Sequence, residues 1–237
     1  MPWRPAWKPF DWPLPRPRHG GGLTVRRRRG AAVVKRTLLF GGSFDPVHHG
    51  HLIVARFVAE HLGLARVILI PSASPPHKQH RRLTPATDRL AMCRRAVAAE
   101  PLFEVSDWEI GRSGPNYTID TVTHFREMLE PEDELCWLIG MDSLLELETW
   151  YRAAELVDLC TIVTTVRPGS APPDAATLAR RFSPPQIDRL LKNIVAGPRI
   201  DIAGTEIRAR VRAGESIGFL VPDAVCRYIT QHRLYCE

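Results

Sequence analysis

The sequence predicts an α/β protein on a doubly wound parallel sheet, and three observations carry that prediction. From Thr37 onward short β-rich runs alternate with helical stretches, a Gly-Gly turn joins the first run to the first helix, and the apolar runs are all too short to span a bilayer, which takes about 18 residues. The candidate strands are 37–40 (Leu38, Leu39, Phe40), 66–70 (Val67, Ile68, Ile70), 103–105 (Phe103, Val105), 134–139 (Cys136, Trp137, Ile139), 159–165 (Ile162, Val163, Thr164) and a short one at 200–202 between Ile200 and Ile202. Each is rich in the β-branched, aromatic or large apolar residues that suit a buried strand. Helical patterns at 50–62, 85–99, 118–129, 143–158, 205–213 and 222–232 fill the intervals, and 168–185, rich in proline and alanine, reads as a surface excursion. Alternation of this kind covers both faces of the sheet with helices and puts the ligand site beyond the carboxyl ends of the strands.

Charge divides the chain in two. The formal net charge is +6, yet residues 1–36 hold ten Lys or Arg against Asp11 alone, so the remainder is mildly acidic at −3. The same leader carries Pro2, Pro5, Pro9, Pro13, Pro15 and Pro17, three tryptophans and the Gly20–Gly22 run. Proline at that density removes backbone donors and blocks helix and strand, which predicts a disordered basic leader at 1–36 ahead of a folded domain at 37–237. The apolar stretch after Arg29 is too short for a secretion signal, and no serine of a transit peptide precedes Ser43. A start downstream of Met1, near Val25 or Val33, is a hypothesis that N-terminal mass spectrometry of the native protein tests. The five cysteines are scattered and odd in number, without a CxxC pair, which argues against a disulfide framework or zinc site and for a reducing, cytoplasmic setting.

The richest stretch is Gly41-Gly42-Ser43-Phe44-Asp45-Pro46-Val47-His48-His49-Gly50-His51. Glycines let the backbone approach a ligand closely, and a helix start offers unpaired amide donors, so a polyphosphate fits there. His48 and His51, three apart, can face one site and donate to phosphate oxygens, whereas His49 reads as spacing or packing. The pair lacks the acid or cysteine that would complete a zinc site. The GxGxxG of dinucleotide-dependent oxidoreductases is missing from the turn.

With those residues in view, the chain resembles the nucleotidyltransferase superfamily marked by HxGH, and more narrowly the bacterial nicotinate-nucleotide adenylyltransferases. The blocks that carry the resemblance are GGSFDPVHHGHL (41–52), PSASPPHK (71–78), GPNYTIDT (114–121), LIGMDSLLELETWY (138–151), VRPG (166–169), IAGTEIRARV (202–211) and the ending GESIGFLVPDAVCRYITQHRLY. The resemblance implies a Rossmann-like nucleotidyltransferase fold with a small helical C-terminal part. It implies condensation of ATP with nicotinate mononucleotide to deamido-NAD and pyrophosphate, the mononucleotide phosphate attacking the α-phosphorus.

On that resemblance the ATP site takes in Gly42, Ser43, Phe44, His48, His51, Asp142, Arg167, Thr205 and Arg208, with His48, His51 and Arg208 stabilising transition-state charge. The mononucleotide site takes in Ser43, Lys78, Asn116, Tyr117, Thr118, Trp150 and Tyr151. Asp142 at a strand end would accept ribose hydroxyls, Thr118 would cap its helix or meet ligand, and the amides of Trp150 and Tyr151 with the indole would hold the nicotinate carboxylate and ring. Competing readings are a surface cation for Lys78 and Arg167 and core packing for Trp150. Two departures stand out: the family usually has serine where Asn116 stands, and its serine-rich ISST pattern here reads Ile202-Ala203-Gly204-Thr205. No Asp/Glu cluster offers a metal cage, so Mg2+ is expected to arrive on the ATP phosphates, with no tightly bound organic cofactor. Rival readings are another acceptor, nicotinamide mononucleotide or phosphopantetheine, and a nucleic-acid-binding protein acting through the leader, against which the acidic body argues.

Overall fold

Six strands, β1 (Arg36–Gly42), β2 (Arg66–Pro71), β3 (Phe103–Val105), β4 (Glu134–Gly140), β5 (Thr161–Val166) and β6 (Ile194–Ala196), form one parallel sheet in the order β3-β2-β1-β4-β5-β6. The computed structural model describes residues 35–74, 83–166 and 173–236. The expected strands lie within or close to the observed ones with one exception. Residues 200–202 stay outside the sheet, and the edge strand is Ile194–Ala196 instead. The alternation of Ile200 and Ile202 reflects packing rather than a ladder, because both line a cavity and Ile202 rests on the core. Arg36, read as leader, pairs with Glu134 in β1 and bridges it at 2.6 Å.

Strand alternation builds two cores. Leu38, Val67, Leu69, Cys136, Leu138 and Val163 face helices α1 (His49–Leu62), α2 (Ala86–Ala96), α8 (Gly204–Arg212) and α9 (Asp223–Gln231). Leu39, Ile68, Ile70, Leu135, Trp137, Ile139 and Ile162 face α3 (Thr118–Glu127), α5 (Ala153–Leu159) and α7 (Pro184–Lys192). Leu38 and Leu39 are both fully buried, on opposite faces of one strand, and each contributes roughly 1.5–3 kcal/mol by leaving water.

The expected single helix at 143–158 is broken. It is α4 (Met141–Leu145), a 3-10 turn at Leu147–Thr149, then α5. Leu144, Leu147, Ala153, Leu156 and Val157 all reach the same core, so the apolar period survives the breaks that it conceals. Trp150 is extended and Arg152 left-handed (φ 53°), which turns Trp150 and Tyr151 toward the carboxyl end of the sheet. Leu159, expected in a strand, ends α5. The excursion at 168–185 carries α6 (Ala175–Leu178) and the start of α7, while 167–172 lie outside the described residues.

Candidate active site

Two cavities flank the carboxyl ends of β1 and β4, where the strand order reverses and where doubly wound sheets bind ligands. One, of about 340 Å³, is lined by His48, Gly50, His51, Met141, Asp142, Thr165 and Ile200 among others. The other, of about 290 Å³, is lined by Gly42, Ser43, Asn116, Tyr117, Thr118, Trp150 and Tyr151, together with Ser72, Glu109 and Trp137. Phe40, Leu138, Ile139 and Gly140 border both.

The first cavity is organised by the start of α1. His48 is its N-cap, in extended conformation, and its buried ring stacks on His51 with centroids 3.6 Å apart and planes 24° apart. The His48 amide donates to Nδ1 of His51 at 3.3 Å, which leaves the His51 proton on Nε2. The edges of Phe44 and Phe40 hold the His51 ring, at 5.0 and 5.9 Å. Burial, with the charge of His49 adding to it, brings His48 down to about 4, so at neutral pH its imidazole is an uncharged donor. Gly50 is dictated by this stack: a Cβ there would stand 3.0 Å from Nδ1 of His48 and 3.5 Å from Ile200.

In the second cavity the side chain of Asn116 is committed to the walls. Its Oδ1 accepts from the Ser74 amide at 2.7 Å and its Nδ2 donates to the Glu109 carbonyl at 3.2 Å, which ties the end of β2 to the loop before α3. Glu109 is buried behind it, accepts from the Thr121 hydroxyl at 2.6 Å, and burial pushes its carboxyl above the usual range. Tyr117 rather than Thr118 is the N-cap of α3, so Thr118, in its first turn, borders the cavity without capping. Tyr117 leans on Tyr151 with centroids at 4.5 Å. Half-buried Trp150 both packs on the second core and lines the cavity. Its amide, expected to meet ligand, donates to the Leu147 carbonyl at 3.0 Å.

Three expected site residues border neither cavity. Phe44 is a core residue with a left-handed backbone (φ 45°), Thr205 is exposed in the first turn of α8, and Arg208 donates to the carbonyl of Asp45. Lys78 and Arg167 lie outside the described residues. Sequence reasoning passed over Ser72, Glu109 and Arg89. Arg89 is fully buried and donates to the carbonyls of Ser43 at 2.7 Å and Thr84 at 2.8 Å. Its helical spacing to Cys93, four residues on, signals that it faces the core.

Comparisons with known proteins give the family and the fold. The cytidylyltransferase-like family model matches residues 39–210. A protein of Dehalococcoides mccartyi strain CBDB1, described as a probable nicotinate-nucleotide adenylyltransferase, is 40% identical over 205 residues, 86% of this chain and 99% of its own length. One of the same description from Thermomicrobium roseum is 42% identical over 197 residues, 83% of this chain and 90% of its own. Among solved structures, the Plasmodium falciparum nicotinic acid mononucleotide adenylyltransferase complexed with NaAD superposes with a TM-score of 0.66 at 17% identity, over 85% of this chain and 97% of its own, a likeness of fold. By the sheet, the paired imidazoles at its switch point and these relatives, the chain belongs to the nicotinate-nucleotide adenylyltransferase family of cytidylyltransferase-like proteins.

Proposed function

We propose that the protein transfers the adenylyl group of ATP to nicotinate mononucleotide, giving deamido-NAD and pyrophosphate for NAD biosynthesis. The observation that carries this reading is the pair of cavities sharing the wall of Phe40 and Gly140, with the His48–His51 stack at the edge of one. ATP takes the cavity of His51 and Asp142, and the mononucleotide takes that of Trp150 and Tyr117. A phosphate oxygen of the mononucleotide forms a bond to the α-phosphorus as the bond to the pyrophosphate oxygen breaks. The nucleophile belongs to the substrate, so this chain positions two anions and stabilises the charge that develops.

His48, uncharged, and His51 donate to the phosphates beside the first amides of α1, with Asp142 accepting ribose hydroxyls. Arg208 and Thr205 serve the triphosphate, Arg167 the adenosine and Lys78 the mononucleotide phosphate. The indole of Trp150 stacks on the pyridine, and the Tyr151 amide meets the carboxylate. Mg2+ carried on the ATP phosphates would supply positive charge that offsets the negative charge of the leaving pyrophosphate. No described helix is long and apolar enough to cross a membrane, and the scattered cysteines support a cytoplasmic setting.

Pyrophosphate release with ATP and each candidate acceptor tests the reading. Turnover is expected with nicotinate mononucleotide, and a clear preference for nicotinamide mononucleotide or phosphopantetheine would move the protein to another branch of the same chemistry.

A further inference from the structure

The turn between β1 and α1 is fixed by groups far away in the sequence. Asp45, at its centre, is buried, and its Oδ1 accepts from the hydroxyl of Tyr235 at 2.8 Å across 190 residues. The guanidinium of Arg208 donates to the Asp45 carbonyl and lies 3.9 Å from its Oδ2. Arg89 closes the arrangement through the Ser43 carbonyl at 2.7 Å. Helix α8 presses on the turn so closely that a Cβ on Gly204 would stand 3.0 Å from the Asp45 oxygen and 3.4 Å from Arg208. This is a physical reason for glycine where the family usually has serine.

The segment after α9 is held in place. Here Leu234 and Tyr235 pack on the first core, the Leu234 amide bonds Ile229 at 3.0 Å, and both Arg233 (φ 49°) and Tyr235 (φ 66°) hold left-handed conformations. Non-glycine residues rarely adopt that conformation, and here two of them do in the short segment that brings the phenol to Asp45.

We propose that Tyr235 is a positioning residue for the phosphate-binding turn, acting through Asp45: the end of the chain sets the turn that leads into His48 and carries Arg208 on its carbonyl. The inference rests on the reading that this turn binds the phosphates of ATP. The Tyr235 hydroxyl adds no charge and touches neither cavity, so its effect is one of geometry; Asp45 stands between Ser43, which lines the mononucleotide cavity, and His48, which lines that of ATP, and the effect is expected to fall more on ATP, to whose phosphates His48 donates.

Steady-state kinetics of the full chain, with each substrate varied in turn, and thermal melts test it in three variants. Tyr235→Phe removes one oxygen and keeps the ring. It is expected to lower kcat/KM for ATP roughly tenfold, leave KM for nicotinate mononucleotide within about twofold, and lower the melting temperature by only a few degrees. Gly204→Ala crowds the Asp45 carbonyl rather than its carboxylate and is expected to give the same loss, greater for ATP. Unchanged kinetics in Tyr235→Phe, whatever its melting temperature, or equal losses for both substrates, overturns the inference, as does an unaffected Gly204→Ala. Arg208→Ala separates the two levels. If it leaves ATP use intact, the placement of ATP at this turn is wrong, whereas if it impairs ATP use while Tyr235→Phe does not, only the role of Tyr235 fails.

Discussion

The proposed chemistry rests on two imidazoles that differ although they touch. His48 is buried and held neutral, down at about 4, while His51 is partly open, its tautomer set by the His48 amide. Donors aimed at developing phosphate charge are each worth roughly a hundredfold to a thousandfold in rate, so His51→Ala is expected to cut kcat by about that factor with the fold intact. Trp150→Ala should instead raise KM for nicotinate mononucleotide with a smaller effect on kcat, and steady-state kinetics on both variants checks the contrast. The buried imidazole also leaves a signature in stability. Its folded pKa lies below the unfolded value of 6.5, so the unfolded chain binds the extra proton and stability falls as pH drops from 6.5 toward 4. Melting curves at pH 7 and 4.5 should therefore show a smaller acid loss for His48→Asn than for the wild type, and equal losses would contradict the neutral imidazole.

At the level of elements, local pattern found what is regular and missed what is locally punctuated. β3 is read to the residue, and α1, α8 and α9 to within one at each end, because the apolar positions on each face repeat cleanly. Helix α7 escaped notice behind Pro184 and Pro185, yet both stand in its first turn, where proline is tolerated, after Ser183, whose amide is met by Gln186 at 2.9 Å. That capping pattern was in the sequence. The side-chain partners of Asn116, Arg89 and Asp45 were not, because they join segments 42, 46 and 190 residues apart whose distance only the folded sheet closes. The loss of the family's serines has an elemental consequence too. Ala203 is the N-cap of α8, extended and without a capping side chain. Ala203→Ser is expected to stabilise the protein by about 1 kcal/mol, read as a rise of about 2–4 °C in melting temperature.

Over the whole described fold, the parallel strand order places the two cavities proposed for the nucleotides side by side. The order β3-β2-β1-β4-β5-β6 diverges at β1 and β4, and the split leaves one cavity on each side of the shared wall. The described residues that line both run from Phe40 to Ile202. Removing residues 1–34 should leave kcat and both KM values unchanged. Loss of biological activity with transfer intact would instead give the leader a task of its own, with nucleic acid the partner its charge favours. The division of labour between the cavities is settled by a structure of the protein crystallised with deamido-NAD. Adenosine is expected beside His51, Asp142 and Thr165, with the pyridine on Trp150 and the bridging phosphates at the His48–His51 stack. A dinucleotide bound with its phosphates away from those imidazoles, or reversed between the cavities, would contradict the mechanism.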